Sequence, residues 1–240
     1  MSSRALHILT PVKDSIESTL VTIRAVQASV LVMPHRYTIF DDNSTPENAS
    51  RLDAAAEKWG FEVVHLKDLT DHPSPNYLFV LRHVQAEALE RGEDICIVES
   101  DVTVCPDTLQ NLFDGASERP DCALAAAVTV DEQGKINYPY DYARSLGKGV
   151  VKVKKHCSFC CTLLTQKFLA KFPFAELDET KNWFDVTISH EALNRGFSNY
   201  LFTALPVVHR PHQSRPWKQL KYKNPLKYYW LKYTRGLDKI

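Results

Sequence analysis

Two short acidic clusters stand directly behind apolar runs. Asp41-Asp42 follows Tyr37-Thr38-Ile39-Phe40, and Glu99-Ser100-Asp101 follows Asp94-Ile95-Cys96-Ile97-Val98. Close carboxylates repel one another, so two such clusters facing one cleft favour a divalent cation that neutralises them. A cation held by few protein carboxylates keeps positions open for phosphate oxygens, which points to a ligand carrying a diphosphate. Taken singly, each cluster is as well explained by solvated turn acids. Both together, each directly after an apolar run, favour function. The chain contains neither G-x-x-x-x-G-K-[ST] nor G-x-G-x-x-G, and it has only eight glycines. Phosphate binding therefore falls to metal and basic side chains. The zinc-hydrolase spacing H-E-x-x-H is absent too, because His190-Glu191 lacks the second His.

Six cysteines are present: Cys96, Cys105, Cys122, Cys157, Cys160 and Cys161. His156-Cys157 followed by Cys160-Cys161 resembles half a zinc site, but a structural site needs four ligands and no second pair exists. The alternation around Ser158-Phe159 predicts a buried strand in which Cys acts as a small hydrophobe. No apolar run approaches the ~18–20 residues that span a bilayer. Met1-Ser2-Ser3-Arg4 leads straight into a strand-like run, too short for a secretory leader. The expectation is reduced thiols in a cytoplasm.

Strand-like and helix-like segments alternate in the first half. Ala5 to Thr10, Tyr37 to Phe40, Phe61 to Leu66 and Asp94 to Val98 read as strands. Ile16 to Ala28, Pro46 to Trp59 and Asn76 to Arg91 read as helices, the last two stopped by Gly60 and Gly92. This order predicts a mostly parallel sheet with helices on its faces. In such sheets ligands bind beyond the carboxyl ends of the strands, where both acidic clusters fall. Further on, Cys122 to Val130, Ser158 to Thr165 and Asn199 to Leu205 read as strands. Lys167 to Phe172 and Phe184 to Arg195 read as helices. Lys135 to Val153, polar and glycine-containing, reads as a mobile loop. The 240 residues make one α/β domain over 1–209 and a basic, aromatic tail over 210–240.

Four blocks in this order resemble family-2 glycosyltransferases of the GT-A fold. They are Leu9-Thr10-Pro11-Val12-Lys13-Asp14; Phe40-Asp41-Asp42-Asn43-Ser44-Thr45; Ile97-Val98-Glu99-Ser100-Asp101; and Trp183-Phe184-Asp185 through Gly196-Phe197 to Val207-Val208-His209. The resemblance covers about residues 5 to 210. It implies a Rossmann-like sheet and an inverting, metal-dependent transfer of a sugar. The donor would be a nucleotide sugar, typically UDP-linked, and the acceptor a hydroxyl on a glycan or a lipid-linked glycan. Thr10, Pro11, Asp14, Asp41 and Asp42 would then line the nucleotide. Read from their place on the helix before the fourth strand, Arg82 and His83 are candidate phosphate contacts, and a solvated helix face explains them equally well. Glu99 and Asp101 would take the D-x-D role toward Mn²⁺ or Mg²⁺, with His209 completing the metal site. Asp185 would be the catalytic base. The sequence departs from the pattern in three places: Glu99 begins the D-x-D motif, Asp14 replaces an Asn, and Phe184-Asp185 carries one acid instead of two. Asp178 and Glu179 are rival bases. The other classes kept open are a catalytically silent nucleotide-sugar-binding protein and a sugar-nucleotide nucleotidyltransferase. The latter lacks its Gly-rich loop here.

Formal charge sums to zero, but residues 210–240 hold nine Lys/Arg against one acid, Asp238, leaving 20 Lys/Arg and 28 Asp/Glu in residues 1–209. Trp217, Tyr222, Tyr228, Tyr229, Trp230 and Tyr233 interleave with these cations. Such a segment suits an anionic membrane surface at the cytoplasmic face, with aromatics at the headgroups. Equally, it suits a helix packed on the acidic body. Nucleic acid is the weaker expectation.

Overall fold

The computed structural model describes residues 4–210 and 224–235. Trp217 and Tyr222 of the predicted tail lie outside them. The strands are β1 (Ala5–Val12), β2 (His35–Asp41), β3 (Glu62–His65), β4 (Glu93–Val98), β5 (Val102–Thr103), β6 (Cys122–Val130), β7 (Val150–Val153), β8 (Cys161–Leu164) and β9 (Ser198–His209). The α-helices are α1 (Ile16–Gln27), α2 (Pro46–Trp59), α3 (Tyr77–Arg91), α4 (Thr108–Ser117), α5 (Gln166–Leu169), α6 (Phe184–Asn194) and α7 (Pro225–Thr234).

One sheet takes the order β3-β2-β1-β4-β8-β6-β9-β5, with β7 also paired to β9. Strands β1, β2, β3, β4, β6 and β9 run one way, and β5, β7 and β8 run against them. The predicted α/β class and mostly parallel sheet are therefore present, with antiparallel strands added in the second half. Parallel register brings Val12 opposite Asp41 and Asp41 opposite His65, so these chain ends share one edge.

Every residue of β4 and of β6 is buried, as expected for strands covered on both faces. Alternation along β4 divides the core. Ile95 and Ile97 pack with Val80, Leu81 and Val84 of α3 and Ile188 of α6. Cys96 and Val98 point the other way, with Ile23 of α1, Leu52 of α2 and Leu112 of α4. A helix layer thus covers each face, and each buried aliphatic side chain contributes about 1.5–3 kcal/mol.

Helix ends follow their sequence signals. The Thr45 hydroxyl accepts the Asn48 N–H ahead of Pro46, and Gly60 ends α2 at φ 72°, a conformation costly for a residue with a Cβ.

The expectation of a mobile loop over Lys135–Val153 is corrected. Tyr140 and Ala143 are fully buried, a 3₁₀ turn spans Asp141–Ser145, and β7 pairs with β9 from Val150↔Phe202 to Val153↔Asn199. The Tyr140 hydroxyl accepts the Ser158 N–H at 2.9 Å, and the Thr129 hydroxyl donates to the carbonyls of Asn137 and Tyr138. Polar composition concealed a segment anchored by one aromatic ring and by backbone hydrogen bonds.

Candidate functional site: an acidic cluster at the carboxyl edge

Glu99 and Asp101 leave the carboxyl end of β4 in a tight turn, closed by a hydrogen bond from the Val102 N–H to the Glu99 carbonyl. The two-residue strand β5 then pairs Val102 with His209 and Thr103 with Val208. This short pairing sets the motif against the end of β9. The Arg210 N–H donates to the Asp101 carbonyl at 3.0 Å. His209 Nε2 lies 3.5 Å from Asp101 Oδ2, and both side chains are buried.

His209 Nδ1 lies 3.0 Å from the Tyr138 carbonyl. A carbonyl only accepts, so Nδ1 carries the proton and Nε2 faces the carboxylates. Burial alone would lower the His209 pKa. The hydrogen bond and charge of Asp101, the Glu99 charge and the Tyr138 carbonyl outweigh it and raise the pKa above its ordinary value. The 3.5 Å separation exceeds the ~2.7–2.9 Å of a good charge-assisted hydrogen bond. It matches the ~3.3 Å edge between O and N donors around one ion at ~2.0–2.1 Å. The Asp101–His209 pair is therefore spaced as two ligands of one divalent ion.

Cys160 joins this cluster. The Glu99 N–H donates to the Cys160 carbonyl at 2.9 Å, and the Cys160 thiol donates to Glu99 Oε2 at 3.4 Å. One potential ligand atom from each of Glu99, Cys160 and His209 lies within 4.8 Å of the others. Burial and the Glu99 charge, with a smaller contribution from Asp101, push the Cys160 thiol well above its ordinary pKa. The buried strand position expected for Cys160 is correct in burial, yet its sulfur faces a carboxylate.

Asp185 lies in the first turn of α6, where helix N–H groups favour a negative charge. Its Oδ1 accepts the Val186 N–H at 2.9 Å. Phe184 beside it stacks on Tyr77 of α3. The Cys157 N–H donates to Ser189 Oγ on α6, and the Asp185 charge is among the influences raising the Cys157 thiol, after burial and Cys122. Segment 157–160 therefore touches α6 at one end and Glu99 at the other. The rival acids are differently placed. Asp178 is exposed and accepts the Thr180 N–H and hydroxyl, and Glu179 pairs with Arg82 at 2.6 Å.

The other predicted site residues are engaged within the fold. Asp41 accepts the Ser44 N–H through Oδ1 and meets His65 Nδ1 through Oδ2 at 2.9 Å. His65 Nε2 meets Asp53 at 2.9 Å. Burial would lower the His65 pKa, but hydrogen bonds and charge from Asp41 and Asp53 raise it. Asp42 accepts the Ser74 hydroxyl and the Asn76 N–H and amide, which fixes the entry to α3. Asp14 takes φ 56° and accepts the Thr45 N–H and Asn48 amide, tying β1 to the start of α2. Backbone and side-chain hydrogen bonds, the Thr45 N–H foremost, hold its carboxyl below the ordinary pKa. The Thr10 hydroxyl is buried against Tyr37 at 3.0 Å, so any ligand contact there falls to the main chain, as at Pro11 beside it. Arg82 bonds the carbonyls of Phe174, Ala175 and Leu177 and the Glu179 carboxylate, so it anchors that segment. Sequence reasoning missed His65, Asp53, Cys160 and the Tyr138 carbonyl. The signal available for His65 was its place at the end of β3, in register with Asp41.

The strand order, with the acidic turn after β4 and the short β5 closing on β9, is a GT-A-type fold. Three solved structures carry it. A mannosyltransferase, PcManGT from Pyrobaculum calidifontis, in complex with GDP-Man and Mn²⁺, matches at TM-score 0.62 and 13% identity. GalNAc-T7 with UDP, GalNAc and Mn²⁺ matches at 0.64 and 11%, and S. aureus TarS 1-349 at 0.59 and 15%. The matches cover 94%, 89% and 85% of this chain, in that order, but 63%, 45% and 57% of the other chains. This chain therefore spans less than two thirds of each. No protein-family model matches the sequence, and comparison with curated proteins finds no relative. At these identities the likeness establishes the fold.

Proposed function

We propose that the chain is a metal-dependent glycosyltransferase acting on a nucleotide-sugar donor. The observation that carries this reading is the convergence of Glu99, Cys160 and His209 beyond the carboxyl end of β4, with Asp101 3.5 Å from His209, in a GT-A-type fold. Structures of the same fold bound to GDP-Man and Mn²⁺, or to UDP, GalNAc and Mn²⁺, support it.

Glu99, Asp101 and His209 would hold Mn²⁺ or Mg²⁺. When bound, such a cation stabilises negative charge developing on a diphosphate leaving group. Tyr138 keeps the His209 tautomer with Nε2 toward the cluster, and β5 holds Asp101 against it. Asp185, at the start of α6, would accept the proton of the attacking hydroxyl. A single displacement inverts the anomeric centre. The acceptor is a glycan or lipid-linked hydroxyl, the latter served by a basic, aromatic C-terminal segment at an anionic membrane. The domain that does this is residues 1–209.

A catalytically silent binding protein draws support from one observation: Asp14, Asp41, Asp42 and Arg82 are all engaged within the protein. Incubation with a panel of UDP- and GDP-sugars, Mn²⁺ and glycan acceptors, followed by product analysis, decides between the two. Transfer is expected, and Asp101→Ala should abolish it together with Mn²⁺-dependent nucleotide binding. Nucleotide binding without any transfer or donor hydrolysis across the panel would favour the silent protein.

A further inference from the structure

Cys160 is not accounted for by the reading above. Its backbone is fixed to Glu99 through the Glu99 N–H, and Val98 pairs with Cys161 in the β4–β8 ladder. The turns at the ends of β4 and β8, joined by this hydrogen bond, therefore hold the Cys160 sulfur beside the Glu99 carboxylate. The sulfur is buried, lies 3.4 Å from Glu99 Oε2, and has the Ser158 hydroxyl at 3.4 Å on another side. Sulfur and oxygen donors around one tetrahedral ion, at ~2.3 and ~2.0 Å, stand ~3.5 Å apart. One potential ligand atom from each of Glu99, Cys160 and His209 lies within 4.8 Å of the others, so side-chain movements of up to about 1 Å bring all three to the ~3.3–3.5 Å edges of a tetrahedral ion.

We propose that Cys160 is a thiolate ligand of a cation held with Glu99 and His209, and that it makes this site select borderline or soft divalent ions over Mg²⁺. The proposal rests on the reading of that cluster as the metal site. On binding, a metal–sulfur bond forms, the S–H bond breaks, and the proton leaves to solvent. The Ser158 hydroxyl is placed to donate to the resulting thiolate. A set of one carboxylate, one imidazole and one thiolate is hard at one end and soft at the other. Sulfur favours Zn²⁺, Co²⁺ and Cd²⁺, tolerates Mn²⁺ and disfavours Mg²⁺, which keeps oxygen ligands and water. Three protein donors also hold a cation without help from a nucleotide.

Co²⁺ titration of the full chain under reducing conditions, without nucleotide, tests this by absorption spectroscopy. A near-ultraviolet sulfur-to-cobalt charge-transfer band should grow with the visible ligand-field bands, and Mg²⁺ in large excess should not reverse it. Cys105→Ser, which removes the exposed thiol, should keep the band. Cys160→Ser should lose the band, keep the ligand-field absorption, and weaken Zn²⁺ binding by at least about tenfold, the lower range of what even outer-shell changes cost. Ligand-field bands without a sulfur band in the unaltered protein would overturn the role of Cys160 and leave the metal site standing. That outcome does not depend on how any variant folds. No cobalt absorption at all would overturn the metal site itself, and with it the inference.

Discussion

Asp185 and His7 are single side chains at which the proposed chemistry and the stability of the fold can each be tested. Asn in place of Asp185 keeps shape and can still accept the Val186 N–H, but cannot take a proton from an acceptor hydroxyl. Asp185→Asn should lower the catalytic rate by roughly 10²–10⁴-fold, with donor and Mn²⁺ affinity within a few-fold of the unaltered chain. Steady-state kinetics beside calorimetry check this, with Asp178→Asn and Glu179→Gln as comparisons. Normal turnover in Asp185→Asn and its loss in one of the other two would move the base out of α6. His7 is fully buried in β1. The Thr38 hydroxyl donates to Glu62, so it accepts from His7 Nε2–H and leaves Nδ1 unprotonated. Burial, with the charges of Arg36, Arg91 and His83, lowers the His7 pKa to about 3. Between its ordinary 6.5 and about 3, the unfolded chain binds a proton there and the folded chain does not. Stability from this group is therefore present above about pH 6.5 and lost as pH falls, by roughly 1.4 kcal/mol per pH unit. Urea unfolding at pH 7.5, 6 and 5 should show a shallower acid loss in His7→Gln than in the unaltered chain. Cys160 marks the limit of legibility at this scale. Its burial was readable from the alternation around it. Its neighbour Glu99 lies 61 residues away, and no local pattern encodes that contact.

The elements of the first half were legible because their apolar runs are long and their stops explicit: Pro46 and Gly60 bracket α2, and Gly92 follows α3. Three elements had weaker signals. β5 is only two residues long, and its pairing with β9 is wholly non-local. β7 is a largely exposed edge strand, so its Val-Val-Lys-Val lacks the apolar density of a core strand. α4 follows Pro106 and carries Gly115 within it, both read in isolation as breakers. The structure explains that glycine. A Cβ at Gly115 would stand 2.4 Å from the Phe202 ring of β9, so the helix lies against the sheet where no side chain fits. Gly115→Ala gains about 1 kcal/mol of helix propensity. Overpacking against a buried ring costs about 1–3 kcal/mol or more, and should win at this distance. A lower denaturation midpoint for Gly115→Ala is expected, and a midpoint unchanged or raised would mean that Phe202 moves aside freely.

Across the whole molecule, charge and aromatic surface separate. Leu226, Tyr229, Trp230 and Tyr233 of α7 are 86%, 48%, 61% and 80% exposed, at the i, i+3, i+4, i+7 spacing of one helix face. Lys227 and Lys232 flank them, while Tyr228 and Leu231 are buried. Among the described residues no helix is long and apolar enough to cross a membrane, but this face suits the plane of one. Sedimentation with anionic liposomes at low salt should carry the chain down, and Trp230→Ala with Tyr233→Ala, or deletion of 217–240, should leave it in solution. Raised salt should weaken binding, since each Lys near the surface contributes about 1 kcal/mol that ions screen. A full chain that ignores such liposomes would remove the membrane role. The closure of β5 on β9 carries a consequence in time. A ribosome releases Glu99 and Asp101 early, and His209 only after most of the body has emerged. Until then β5 has no partner and Asp101 has no imidazole beside it. Domains emerging in this way fold as their segments become available. The strand that completes the sheet therefore also completes the cluster: a half-made chain holds Asp101 without His209.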